Sequence, residues 1–66
     1  MIVTITDMGG GRAIADYRDG TGRRREQLTV EQRAVIERRG TLIWVTSNYR
    51  YGAVGAQAQY QIDRIE

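Results

Sequence analysis

Cysteine, histidine, lysine, proline and phenylalanine are all missing from this 66-residue chain. Without Cys there is no disulfide, no thiolate metal site and no thiol nucleophile. Without His the commonest metal ligand and the usual general base are gone. Without Lys the phosphate-loop pattern Gly-Lys-Ser/Thr cannot be completed, so Asp19-Gly20-Thr21-Gly22-Arg23 reads as a turn. The only serine, Ser47, has neither His nor Lys to activate it. Carboxylates remain, and paired carboxylates need a cleft that splits their pKa values, for which a domain this small rarely has room. A non-enzyme without cofactor or metal is therefore expected. Long apolar runs are missing too: the longest, Leu42–Val45, is far too short to span a bilayer.

Size sets the next limit. A chain of this length makes one compact domain, residues 1–66, and buries only about 60% of the surface its unfolded form exposes. Small domains usually compensate with disulfides, metals or oligomers. Only self-association is left by this composition, which keeps a homodimer open. The segment Met1–Asp7 has no basic stretch followed by a long apolar run and reads as a first strand, not a signal peptide. A cytoplasmic protein without membrane contact is the expectation.

What is present in excess is arginine. All ten basic residues are Arg, and the net charge is +2. A GC-rich genome explains this simply, since Ala and Gly are abundant as well. The alternative is selection for the planar guanidinium fork, which grips carboxylates, phosphates and base edges in pairs of hydrogen bonds. A net charge of +2 is weak for a dedicated duplex-DNA binder.

Patterning gives the element order. Val3 and Ile5 make one apolar face of a strand, and Ala13, Ala15 and Tyr17 make another. Gly9-Gly10-Gly11 between them suits a hairpin turn. Asp19–Gly22 is a second turn, and the following Arg23–Leu28 is open to strand, arm or loop. Thr29-Val30-Glu31-Gln32 fits a capping box, with Glu31 in the first turn and Arg38-Arg39 in the last, so residues 30–39 form a helix. Gly40 is expected in the left-handed position after it.

Thr41–Tyr51 reads as the central strand, because Leu42–Val45 is apolar on both faces. Residues 56–62 alternate, with Ala56, Ala58, Tyr60 and Ile62 inward and Gln57, Gln59 and Gln61 outward. The simplest architecture is α+β: a ββαββ four-stranded antiparallel sheet with one short helix packed on one face. A small barrel using residues 23–28 as a fifth strand is the rival.

Two binding chemistries fit these residues. Arg and Tyr are enriched at protein-binding hot spots. Arg23, Arg24, Arg25, Arg38, Arg39, Tyr49, Arg50 and Tyr51 are accordingly the candidate partner-binding residues, with Trp44, Tyr17 and Tyr60 assigned to the core. Basic residues beside aromatics, as in Tyr49-Arg50-Tyr51, also suit single-stranded DNA or RNA.

In overall character the chain resembles small phage-encoded inhibitors of the anti-CRISPR type. The likeness lies in a short chain from Met1 to Glu66, an Arg/Ala/Gly-rich composition, one compact α+β domain and no catalytic residues. It implies an inhibitor that binds a host protein or nucleoprotein complex through an Arg/Tyr surface. Many such inhibitors are acidic and mimic nucleic acid; this chain is basic. A single-strand binder is the alternative function.

Overall fold

The computed structural model describes residues 1–65. Its elements are β1 (Ile2–Gly9), β2 (Arg12–Asp19), β3 (Gly22–Leu28), α1 (Val30–Arg39), β4 (Thr41–Val45), a 3-10 helix (Tyr49–Tyr51) and β5 (Gln57–Gln61). All five strands belong to one antiparallel sheet with the spatial order β3-β2-β1-β5-β4.

The four-stranded ββαββ arrangement is thus corrected by one strand. Residues 22–28 pair with β2 along their whole length, from Leu28 opposite Ala13 to Gly22 opposite Asp19. Their arginines conceal the strand, because side chains that face water on both sides leave no apolar alternation. Backbone pairing needs none. The turn before β3 is held by Asp19, whose Oδ1 accepts from the Thr21 amide at 2.8 Å and the Thr21 hydroxyl at 2.6 Å.

A second correction concerns residues 41–51. β4 stops at Val45 and pairs only with β5, so it is an edge strand, not a central one. Thr46 ends it, donating its amide to Gln57 O at 2.9 Å while its Oγ1 accepts from the Gln57 amide at 3.1 Å. Residues 49–51 then coil into the 3-10 helix. Trp44, expected in the core, is consequently half-exposed.

The helix forms as its caps predict. Thr29 Oγ1 accepts from the Gln32 amide at 3.0 Å, and Gln32 Oε1 accepts from the Thr29 amide at 2.9 Å. Gly40 differs from expectation: its φ of −77° and ψ of 155° are ordinary extended values. Space, not handedness, demands glycine there, since a Cβ would sit 2.6 Å from Ile36 O.

Alternation sorts the strands into two faces. Val3, Ile5, Asp7, Ala13, Ala15, Leu28, Ala58 and Tyr60 point to the side that α1 covers, and all are buried. Ile36 of α1, Tyr49 of the 3-10 helix, Ala56 and Ile62 complete this core. Alanine on β2 and β5 leaves room beneath the helix for these larger groups. Among the described residues no helix is long and apolar enough to cross a membrane.

Asp7 is the polar member of the core, 3% exposed. Arg33 of α1 reaches it with both terminal nitrogens, at 2.6 and 3.3 Å. Arg33 Nε also donates to Glu37 at 2.8 Å, and its guanidinium lies 5.2 Å from the centre of the Tyr49 ring. The Tyr49 hydroxyl donates to the same Glu37 oxygen at 3.2 Å. One arginine therefore ties α1 to β1 and to the 3-10 helix.

Candidate partner-binding face

Among the described residues no helix lies over the second face of the sheet. Its side chains follow from the strand register. One row crosses all five strands, Trp44–Gln59–Thr4–Asp16–Arg25, each residue opposite the next. A second row runs Gln57–Thr6–Ile14–Gln27. The rows are stitched laterally: Gln57 Nε2 donates to Thr6 at 3.0 Å, Gln59 Nε2 to Thr4 at 3.3 Å, and Arg25 to Asp16 at 3.2 Å. These bonds pre-arrange a flat surface of amides and hydroxyls that still have donor and acceptor capacity.

Charge on this face is one-sided. Arg12, Arg18, Arg23 and Arg25 all project there from β2 and β3, and within the strands Asp16 is the only carboxylate among them. That local surplus of positive charge exceeds the chain's net +2. The Asp16–Arg25 pair does little to cancel it, since its side chains are 38% and 64% exposed. Exposed pairs of this kind contribute about 0–1 kcal/mol and are readily exchanged for another partner. At the β2–β3 end a groove lined by Asp16, Tyr17, Arg18 and Arg23–Arg25 wraps round the sheet edge.

The residues singled out from sequence do not form one site. Arg23 and Arg25 lie on the uncovered face, whereas Arg24 points to the other side and bonds Asp19 at 3.1 Å and Thr21 at 3.0 Å. Bonds from Thr21, with Arg24 adding to them, hold the Asp19 carboxyl below its ordinary range. Tyr49 is not a surface residue at all. It is buried, and burial together with the Glu37 carboxylate pushes its phenol well above its usual pKa, against the opposing Arg33. Arg50 and Tyr51 are exposed, but they follow the far edge strand, with β2, β1, β5 and β4 between them and Arg23. Arg38 and Arg39 end the helix, also beside β4.

Sequence reasoning missed Arg12 and Arg18, although the alternation of β2 was visible. The inward set Ala13, Ala15 and Tyr17 implies an outward set of Arg12, Ile14, Asp16 and Arg18. The glutamines of β5 point outward, as their alternation implies, and since β5 lies between β1 and β4 they belong to a sheet face. No protein-family model, curated protein or solved structure matches the chain.

Proposed function

We propose that this is a non-enzymatic binding protein of the cytoplasm that engages an acidic protein surface with the uncovered face of its sheet. The observation that carries the reading is the group Arg18, Arg23 and Arg25, with Arg12 at the other end of β2, beside hydrogen-bonding glutamines and threonines on a face that no element among the described residues covers. Guanidinium groups recognise carboxylates in pairs of hydrogen bonds, and the neighbouring amides add direction. A phage-encoded inhibitor of the anti-CRISPR type would act in this way, by occupying a host protein's surface rather than by chemistry.

Single-stranded nucleic acid is the second reading, and the aromatic positions favour it less. Sheet surfaces that hold single strands stack bases on aromatic side chains. On the uncovered face β1, β2 and β5 present Thr, Gln, Ile, Asp and Arg, and Trp44 stands alone at the edge. Tyr49 and Tyr60 are buried on the opposite side.

The test uses the tagged chain to capture partners from nuclease-treated host lysate. Arg18→Glu with Arg23→Glu should abolish capture while the domain stays folded. Arg38→Glu with Arg50→Glu changes net charge equally but off the face, and should retain it. Capture that survives the first pair, or that disappears on nuclease treatment of the unaltered protein, contradicts the proposal.

A further inference from the structure

The sheet ends on β3 at one side and on β4 at the other, and the two edges are built differently. β3 pairs with β2 without a break from Gly22 to Leu28, seven residues in all. β4 has five residues, and its register slips between Leu42 and Trp44. At a free edge every second residue turns its N–H and C=O outward, where another strand can take them. Among the described residues β3 is the edge that offers them in an unbroken row.

Charge selects what can use that row. On the uncovered face β3 presents Arg23 and Arg25, followed by the neutral Gln27, and all three are exposed. Behind them on β2 stand Arg18, directly opposite Arg23, and Asp16, opposite Arg25. Like charges directly opposite in a ladder are destabilising. Among the described residues neither Arg18 nor Arg23 has a carboxylate within ion-pair distance. The helix side of the same strand differs: Asp19 holds Arg24 at 3.1 Å, and Glu26 follows on that side. One side of this edge is short of anions and the other is not.

We infer that β3 takes an extended acidic segment of the partner protein as a sixth strand, with carboxylates at alternate positions beside Arg23 and Arg25 and uncharged residues between them. The inference rests on the acidic-partner reading and adds to it a binding mode and a spacing of charge. Backbone bonds hold the segment, and the period of two in its side chains selects it. A carboxylate beside Arg23 offsets the Arg18–Arg23 repulsion, which a neutral strand leaves in place. The groove that wraps round this edge gives the segment room. The same arginines defend the edge against its own kind, since a second copy centred on Arg24 sets arginine against arginine. Nucleic acid finds no stacking platform beside them, because Tyr17, the nearest aromatic on β2, lies opposite Arg24 on the helix side.

The probe is a synthetic peptide of the length of β3 in which glutamate and threonine alternate, titrated against the unaltered chain by calorimetry. It should bind, and amide exchange in β3 should slow on binding. N-methylating every second peptide residue, in one of the two phases, should weaken binding about tenfold or more, because backbone donors go while every carboxylate stays. Grouping the glutamates at one end should weaken it too. Arg23→Glu with Arg25→Glu should transfer binding to the peptide with lysine in place of glutamate. Full binding by both N-methylated forms, with exchange in β3 unchanged, overturns the edge mode and leaves the acidic-partner reading standing. So does a failure of every peptide to bind while lysate capture still depends on Arg18 and Arg23. Capture independent of those two arginines removes the reading and the inference together, as does tighter binding of a single-stranded oligonucleotide of equal charge.

Discussion

Arg33 and Arg25 each hold an aspartate of the same sheet, on opposite faces. Arg33 meets Asp7 at 2.6 Å with side chains 23% and 4% exposed, whereas Arg25 meets Asp16 at 3.2 Å with 64% and 38% exposed. The first pair is enclosed by α1, the 3-10 helix and β1, and also bonds Glu37. The second is open to solvent, with Thr4 opposite Asp16 in the same cross-strand row. Identical chemical groups are therefore structural under the helix and interchangeable on the uncovered side, because surrounding dielectric decides what an ion pair contributes. The lesson extends to the other arginines of the uncovered face: little in the fold depends on them, which leaves them available to a partner.

The comparison breaks most sharply at Arg33. Arg33→Ala leaves Asp7 charged and buried without its partner, a loss of about 3–5 kcal/mol. That approaches the whole stability of a domain this size, about 3–10 kcal/mol. Urea unfolding should show a largely unfolded protein. Replacing both members, Asp7→Leu with Arg33→Met, should restore most of the stability, which separates loss of the pair from loss of volume. Ile36→Ala comes next. It removes the helix's one fully buried side chain and should cost about 2–4 kcal/mol by the same measurement.

Alkaline pH probes the helix side further. Burial, with the Glu37 carboxylate adding to it, keeps the phenols of Tyr49 and Tyr60 protonated above their ordinary value of 10.0. The unfolded chain releases those protons near that value while the folded chain retains them, so stability is full below it and falls as pH rises beyond. Denaturation midpoints should drop as pH rises above about 10, and Tyr49→Phe should flatten the drop. The smallest effect belongs to the uncovered face: Arg25→Ala should change stability by under about 1 kcal/mol.

Local signals were legible in the sequence, and long-range ones were not. The capping box of α1 and the alternation of β1, β2 and β5 involve neighbouring residues, and each element formed where it was read. β3 was illegible because its pairing with β2 is a backbone property that Arg23–Arg25 do not advertise. β4 misled because apolar residues on both faces describe a central strand and an unprotected edge equally well. The Asp7–Arg33 pair spans 26 residues and has no local signature. A hint existed in Asp7 itself, which continues the inward series Val3, Ile5 and so requires a cation opposite it. For the candidate site, the arginine run 23–25 is visible in the sequence, but the basic-aromatic pattern of Tyr49–Tyr51 lies across the sheet from it, whereas Arg18 on the adjoining strand is its real neighbour.

Arginine modification by a dicarbonyl reagent, mapped by mass spectrometry on the free chain and on the captured complex, tests the central claim most directly. The account predicts that Arg12, Arg18 and Arg23 react in the free protein and are protected in the complex. Arg33 should resist in both, and Arg38 and Arg50 should react in both. Protection of Arg38 and Arg50 with continued reaction of Arg18 and Arg23 would contradict it.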